Sequence, residues 1–346
     1  MRALVYQSPG NVELTEVPEP VAGPGEVVVA VQAAGVCQTD VHIWRGEDSR
    51  VQGGTVLGHE VAGKVASLGS AVTEWEIGQS IAVYPVWSCG ACAACASGRR
   101  NACRRTGDRR TTPKVPGIAA DGGMAELVVV PADSLVDIGD LDPGVAATLA
   151  DAGLAPYSSV KEVAPDLGPK STAVVIGLGG LGNMALQALR AMSACQVVAI
   201  DVDPAARARA EPWADHLLAG GQPDVTERIL TLTGGYGAEA VLDFVGSDET
   251  VGLAADVVAP FGAIRISGLG GGQLAVRADA GCRLPAGASV VPRAYSGSYP
   301  ELLEVLALAG RGLLQPAVER FPLGDGARVL EILANGQVGG RAVLEP

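Results

Sequence analysis

The sequence predicts an α/β protein of two domains, a small barrel-like β domain followed by a doubly wound parallel sheet. Three observations carry this. Up to about residue 150, short apolar runs are separated by Gly, Pro and Asp turns; beyond about Ala155, β and α patterns alternate; and a glycine-rich turn at Gly177 joins an apolar strand to a helix. At 346 residues the chain is long enough for two hydrophobic cores.

In the first domain, strands are expected at residues 27–31, 61–68, 80–86 and 127–130. In the second they are expected at 174–176, 197–200, 216–218, 241–244, 263–267 and 289–291, with a helix at 184–191 after the first. The last fifty residues hold an amphipathic helix near 301–308 and short strands ending at 341–344, a tail expected to return to the first domain. The expected limits are therefore 1–153, 154–295 and 296–346, with no repeats or low-complexity tracts.

Composition narrows the function. With 48% hydrophobic and 18% charged residues the chain reads as soluble and globular. A net charge of −13 repels phosphate polyanions, so nucleic acid is not an expected partner. The N-terminus has no basic segment followed by a long apolar run, so no export signal is read and a cytoplasmic location is expected. The apolar stretch 173–189 is broken by glycines, Asn183 and Gln187, which favours a buried strand-turn-helix over a membrane span.

Cys89, Cys92, Cys95 and Cys103 form a Cys-x2-Cys-x2-Cys-x7-Cys run within a lobe at about residues 88–104. Thiols at this spacing suit one tetrahedral Zn2+ better than disulfides, which would be strained between such near neighbours. Four protein sulfurs close that ion to substrate, so it can only fold a lobe rich in Arg and poor in apolar residues.

Gly177, Gly179, Gly180, Leu181 and Gly182 form Gly-x-Gly-x-x-Gly between strand and helix. Gly177 permits the tight turn, Gly179 lets the backbone approach a pyrophosphate, and Gly182 allows helix to pack on strand, with the phosphates at the helix N-terminus. Asp201 ends the second strand, where a carboxylate accepts hydrogen bonds from the adenosine ribose and repels a 2′-phosphate, which favours NAD over NADP. Asp203 is its rival, but lies beyond the strand and before Pro204. Arg207, on the next helix, faces either the adenosine edge or solvent.

Cys37 stands in Gly-Val-Cys-Gln-Thr-Asp-Val-His and His59 in Gly-His-Glu. A thiolate, an imidazole and a carboxylate suit Zn2+ with one open position, although spacing alone only suggests the grouping and a lone buried Cys is usually a small core hydrophobe.

From end to end the chain resembles the zinc-dependent medium-chain alcohol dehydrogenases of the bacterial secondary-alcohol type. The matching elements run in family order: Cys-x-Thr-Asp at 37–40, Gly-His-Glu at 58–60, the four-cysteine lobe, Asp151-Ala-Gly153 with Tyr157, and the dinucleotide motif. The resemblance implies a GroES-like catalytic domain joined to a Rossmann domain. It implies a catalytic zinc on Cys37, His59 and Asp151, the last replacing a cysteine of some relatives, and so two Zn2+ per chain. Glu60 would lie beside that metal as a transient ligand or hydrogen-bonded to one, and Asp40 would orient His59. Thr39 would accept the alcohol proton by hydrogen bonding and pass it through the cofactor ribose to His42 and solvent. Gln38 replaces the family's common basic residue near the cofactor pyrophosphate, supplying a hydrogen bond without charge. Trp87, Tyr295 and Thr39 are expected around a substrate pocket between the domains, with Trp44 a weaker candidate, and Phe244 and Leu269 beside the cofactor. The implied reaction is reversible hydride transfer between an alcohol, most readily a secondary one, and NAD, with polyol, aldehyde or amino-alcohol oxidation as the alternative. A non-catalytic nucleotide-binding relative would have lost a ligand or the relay hydroxyl. A homodimer or homotetramer is implied, pairing through the edge strand at 289–291.

Overall fold

The apolar runs of the first 150 residues become strands whose burial follows how many neighbours each has. In the computed structural model, which describes residues 1–346, β1 (Arg2–Ser8) and β2 (Asn11–Glu16) form an antiparallel hairpin at one edge. β3 (Glu26–Gly35) is mostly buried, and its Val-rich sequence is that of a strand covered on both faces. α1 (Gln38–Trp44) follows, then β4 (Thr55–Val56), which pairs with β1, β5 (Glu60–Leu68) and β6 (Ser80–Val83). The strand expected to reach residue 86 stops at Val83. Tyr84 N–H bonds to Ser134 O at 2.7 Å and its hydroxyl donates to Gly297 O at 2.8 Å, while Tyr84, Val86 and Trp87 are all buried. Burial of an irregular segment leaves the same apolar signature as a strand, which is why the pattern overran.

The cysteine lobe contains one short helix, α2 (Ala93–Ala96). β7 (Leu127–Pro131) pairs with β3, and β8 (Leu135–Asp137) with β6. α3 (Pro143–Thr148) starts with Pro143 behind an Asp142 cap that accepts Val145 N–H at 3.0 Å. It runs into one wide π-helical turn, Leu149–Gly153, and then α4 (Leu154–Val163). Leu4, Val27, Val29, Leu57, Ile81 and Leu135 are among the core residues, each contributing about 1.5–3 kcal/mol by burial.

The next segment is a parallel sheet with helices between its strands: β9 (Thr172–Ile176), α5 (Gly180–Met192), β10 (Gln196–Asp201), α6 (Pro204–Ala210), β11 (His216–Ala219), α7 (Val225–Leu232), β12 (Ala238–Asp243), α8 (Asp248–Val257), β13 (Val258–Ile266) and β14 (Ser289–Val291). Its order is β11-β10-β9-β12-β13-β14, so the winding reverses between β9 and β12. Ligands bind at the carboxyl ends of strands flanking such a reversal. Several boundaries differ from the sequence reading, among them the start of β13, at Val258 rather than 263. α5 starts at Gly180 rather than 184, because low glycine propensity hides its first turn, and β12 ends at Asp243, leaving Phe244 just outside.

The tail contributes α9 (Tyr299–Gly310), whose Ser298 cap is closed by Glu301, then β15 (Val318–Pro322), α10 (Gly326–Ala334) and β16 (Arg341–Glu345). β16 pairs with β3 at Val343↔Gly35 and Leu344↔Ala34, completing the sheet β15-β16-β3-β5-β6-β8, with β7 alongside β3. One unit thus comprises Met1–Leu154 and Gly297–Pro346, the other Ala155–Ser296. No helix is long and apolar enough to cross a membrane.

Candidate metal centre and coenzyme site

The first unit builds a buried cluster from three places. Cys37 is the N-cap of α1, with extended backbone (φ −110°, ψ 162°), and its N–H donates to Asp40 Oδ2 at 2.9 Å. His59 and Glu60 open β5, and the β3–β5 register pairs Gly35 with Glu60, which brings that end of β5 beside the chain entering Cys37. A side chain at residue 35 would put Cβ 2.0 Å from Glu60 Oε2, so glycine leaves this carboxylate its space. Asp151 comes from the π-helical turn, a form of helix widening common at functional sites.

One ligand atom from each of Cys37, His59, Glu60 and Asp151 can be chosen so that all lie within 4.8 Å of one another. Cys37 Sγ is 3.8 Å from Asp151 Oδ2, and His59 Nε2 is 3.6 Å from the same oxygen. Ligands on a tetrahedral zinc with bonds of 2.0–2.3 Å stand about 3.3–3.8 Å apart, so the donor set and its spacing fit Zn2+.

Electrostatics agree. Burial disfavours charge on His59, yet Asp40, Asp151 and Cys37 outweigh it and hold the ring well above the usual imidazole range, which is the mark of a site that attracts a cation. Burial likewise opposes ionisation of Asp151, but His59 and Arg341 hold it below the usual carboxylate range. Asp40 Oδ1 faces His59 Nδ1 at 3.5 Å, and neither atom has a closer partner. That placement leaves Nε2 as the ring nitrogen facing the cluster.

Glu60 is fully buried, and its Oε1 pairs with Arg341 Nη2 from the first residue of β16. Burial pushes Glu60 up to about 7 against the pull of Arg341, and its Oε2 has no partner. Burial acts against the Arg341 charge too, but Glu60, Cys37 and Asp151 more than compensate and raise its pKa. Arg341 was absent from the sequence-level site; it counters the negative charge that Cys37, Glu60, Asp151 and Asp40 gather.

In the lobe, Cys92 Sγ lies 3.5 Å from Cys95 Sγ and 4.0 Å from Cys103 Sγ, and all four sulfurs fall within 4.8 Å of one another as free thiols. Cys89 N–H and Arg104 N–H point at Cys103 and Cys92 sulfurs, at 3.4 and 3.5 Å. Although burial opposes ionisation of Cys103, the Thr106 hydroxyl and nearby backbone N–H groups bring it down to about 5, and the N–H groups of Arg104 and Cys95 bring Cys92 to about 7. Cys95 is pushed up to about 11 by burial and by Cys92, so its thiolate needs a cation beside it. The set fits a structural Zn2+.

The coenzyme motif occupies the reversal point of the second unit. Gly177 has φ +85°, which glycine alone adopts without strain. A Cβ on Gly182 would lie 1.7 Å from Gly177 O, whereas one on Gly179 would meet nothing within 4 Å. Gly182 is therefore a packing glycine and Gly179 borders an open cradle. The α5 N-terminus has no side-chain cap, leaving its first N–H groups available to an anion. Asp201 Oδ2 accepts Leu178 N–H at 2.6 Å and its Oδ1 accepts Asp203 N–H at 2.8 Å, which fixes the carboxylate against the glycine turn. Asp203 instead caps α6 through Ala205 and Ala206 N–H. Arg207 donates to Asp201 O and Val202 O, at 2.6 and 3.0 Å. Phe244 lies 3.6 Å from the Cβ position of Gly182, and Leu269, after β13, is exposed. This turn, with its cradle and strand-end carboxylate, fits NAD.

The other sequence candidates divide. Thr39 Oγ1 is 3.7 Å from Cys37 Sγ, at the edge of the cluster. Gln38 is exposed and donates weakly to Leu333 O at the end of α10, at 3.4 Å. His42 Nδ1 contacts Glu47, a residue the sequence reading did not single out. Trp87, expected as a pocket wall, is 8% exposed in the core of the first unit, and its Nε1 has no partner. Trp44 packs against the same core, and Tyr295, in the second unit, is partly exposed.

The sequence profile described as "Alcohol dehydrogenase GroES-like domain" matches residues 23–140, and that described as "Zinc-binding dehydrogenase" matches residues 180–306. An NAD-dependent alcohol dehydrogenase of Sulfurisphaera tokodaii is 31% identical, with 100% of both chains covered. A D-arabinose 1-dehydrogenase (NADP(+)) of Saccharolobus solfataricus is 31% identical over 99% of this chain and 95% of its own. The crystal structure of the alcohol dehydrogenase from Aeropyrum pernix superposes with a TM-score of 0.91 at 31% identity, covering 100% of both chains. The paired metal and coenzyme sites, together with these matches over the whole length, show that the chain belongs to the zinc-dependent medium-chain alcohol dehydrogenase family.

Proposed function

We propose that the chain catalyses reversible hydride transfer between an alcohol, foremost a secondary alcohol, and NAD, giving a ketone or aldehyde. The observation that carries the reading is the buried convergence of Cys37, His59 and Asp151 in a member of this family. Zn2+ held there supplies Lewis-acid polarisation of an alcohol or carbonyl oxygen, and NAD supplies the hydride acceptor.

The chain's own residues do the rest. Asp40 fixes the His59 ring, and Arg341 with Glu60 sets the charge behind the ligands. Thr39 Oγ1 accepts the hydrogen bond of the substrate hydroxyl, and His42, three residues on along the same face of α1, exchanges that proton with solvent. Trp87 supports the site from the core of the first unit, and Leu269 contributes exposed apolar surface beside the cofactor in the second. Gln38, neutral where relatives carry a basic residue, makes NAD binding weaker than an arginine would.

The second unit presents β14 as an exposed sheet edge, which supports pairing into a homodimer or homotetramer. Seven free cysteines support a reducing, cytoplasmic compartment. The D-arabinose dehydrogenase among the relatives supports a second reading, oxidation of a polyol or sugar at the same site.

Metal analysis combined with NADH formation over primary, secondary and polyhydric alcohols and aldoses tests both. Two zincs per chain and turnover on simple secondary alcohols are expected. Turnover confined to polyols or sugars selects the second reading, and one zinc without turnover on anything overturns both.

A further inference from the structure

We propose that Glu47 is a positioning residue for His42, holding the imidazole by Nδ1 so that Nε2 is the nitrogen left to take and release the reaction proton. The inference rests on the dehydrogenase reading of α1 given above.

Its basis is how α1 ends. Gly46 N–H bonds to Ile43 O at 2.8 Å and Glu47 N–H bonds back to His42 O at 2.9 Å, with Gly46 at φ +76°. This is the Schellman pattern, which closes a helix by a glycine in the left-handed region and brings the residue after that glycine beside the one five positions earlier. An apolar pair commonly fills that contact. Here the two positions are Glu47 and His42, and the carboxylate meets ring Nδ1. The backbone therefore delivers the carboxylate to the ring, where a surface pair would have to find it by side-chain search.

Position and exposure suit a proton exit. The His42 side chain is 33% exposed and that of Glu47 50%, so the pair reaches water. With Nδ1–H donated to the carboxylate, the neutral ring keeps its lone pair on Nε2. Nε2 binds the hydroxyl proton that alcohol oxidation must release, and passes the same proton to water. Glu47 stays ionised throughout; His42, by hydrogen bond and charge, and Arg45 hold its carboxyl below the usual range.

Other charged groups around the pair are engaged elsewhere. Asp40 faces His59 and Asp48 pairs with Arg50; on α10, packed against α1, Arg328 pairs with Asp325.

The test uses the zinc-loaded, full-length enzyme and its Glu47→Gln, Glu47→Asp and His42→Ala variants. With only three histidines, ring 15N spectra resolve His42. Wild type is expected to show one neutral tautomer, protonated at Nδ1, and E47Q a mixture of the two. A positioned acid–base group supplies about 10²–10⁴-fold in rate, so losing its orientation is expected to lower kcat by about 3- to 10-fold with KM changed less than about twofold. E47D is expected to recover most of both signals, and E47Q is expected to have no further effect in an H42A background. An unchanged tautomer in E47Q, or a changed tautomer with unchanged kcat, overturns the proposal. Absence of turnover in wild type over the alcohol panel overturns the dehydrogenase reading instead, and the tautomer spectra tell the two failures apart.

Discussion

Gly179 and Gly182 stand three residues apart in the same turn, and the structure assigns them opposite consequences. In Gly179→Ala the new methyl meets nothing within 4 Å and the backbone is already extended, so the folded unit accepts it. Removing a glycine from the unfolded chain even favours folding, by about 0.4–1 kcal/mol. The same methyl, however, would stand in the cradle proposed to receive the cofactor pyrophosphate at the α5 N-terminus. Loss of one charge-assisted hydrogen bond there costs about 1.5–3 kcal/mol, or roughly 10- to 100-fold in NAD affinity. In Gly182→Ala the methyl would sit 1.7 Å from Gly177 O, well short of the 3.0 Å that Cβ contacts require, and both partners are backbone. Helix must move from strand, at about 1–3 kcal/mol or more of stability.

Calorimetric NAD titration and thermal melting with and without NAD separate the cases. G179A should melt at or slightly above the wild-type temperature and gain little from NAD, whereas saturation at about 100 times Kd adds roughly 2.7 kcal/mol to wild type. G182A should melt lower even without cofactor. If G179A bound NAD within twofold of wild type, the pyrophosphate would not lie on this turn; if G182A were as stable as wild type, the contact argument itself would be wrong.

Three further outcomes are expected. Cys103→Ser should remove one zinc per chain, measured by mass spectrometry, and speed tryptic cleavage in the Arg-rich segment 99–110 by about tenfold or more as the lobe opens; unchanged zinc content would refute a four-sulfur site. Arg341→Met should lose about 3–5 kcal/mol in denaturant unfolding by stranding buried Glu60, and part should return in the double variant with Glu60→Gln; a loss below about 1 kcal/mol would show that the pair is not needed. Asp142→Ala should cost about 1 kcal/mol, since Asp142 caps α3 and pairs with Arg320 at 2.6 Å. Although burial opposes it, Arg320 and Val145 N–H hold the Asp142 carboxyl below the usual range. That contribution is complete above the unfolded carboxyl value of about 3.9 and is lost as pH falls through the folded value, so the difference from wild type should be flat from about pH 5 to 8 and shrink in more acidic solution. A difference that grew on acidification would contradict the sign.

How much was legible depends on how local each signal is. The four lobe cysteines and the glycine turn lie within short stretches, so spacing alone suggested their chemistry, and the alternation beyond Ala155 gave the parallel sheet. Asp151 has no local signature, being one carboxylate in an apolar helical run, and only resemblance to a family pointed to it. Arg341 pairs with Glu60 across 281 residues, a contact created by β16 joining β3 that no periodicity encodes. Glu47 had a readable signal that was passed over: His-x-x-x-Gly-Glu at a helix end is the spacing of a Schellman closure. Trp87 shows the opposite case, since the sequence does not reveal that packing seats this large aromatic in the core of the first unit.

The widened turn at Leu149–Gly153 fits one residue more into its circuit than an ordinary helix would. Deleting Ala150 there would let the segment relax to standard α geometry with its helix unbroken. Four residues at about 100° each would then span nearly the circuit that five span now, so the flanks would keep their phase while Asp151, inside the turn, took a new one. The carboxylate of Asp151 would swing away from the sulfur and imidazole while the fold stayed whole. The convergence of this cluster thus hangs on a helical phase, which a single codon's loss could reset without unfolding anything.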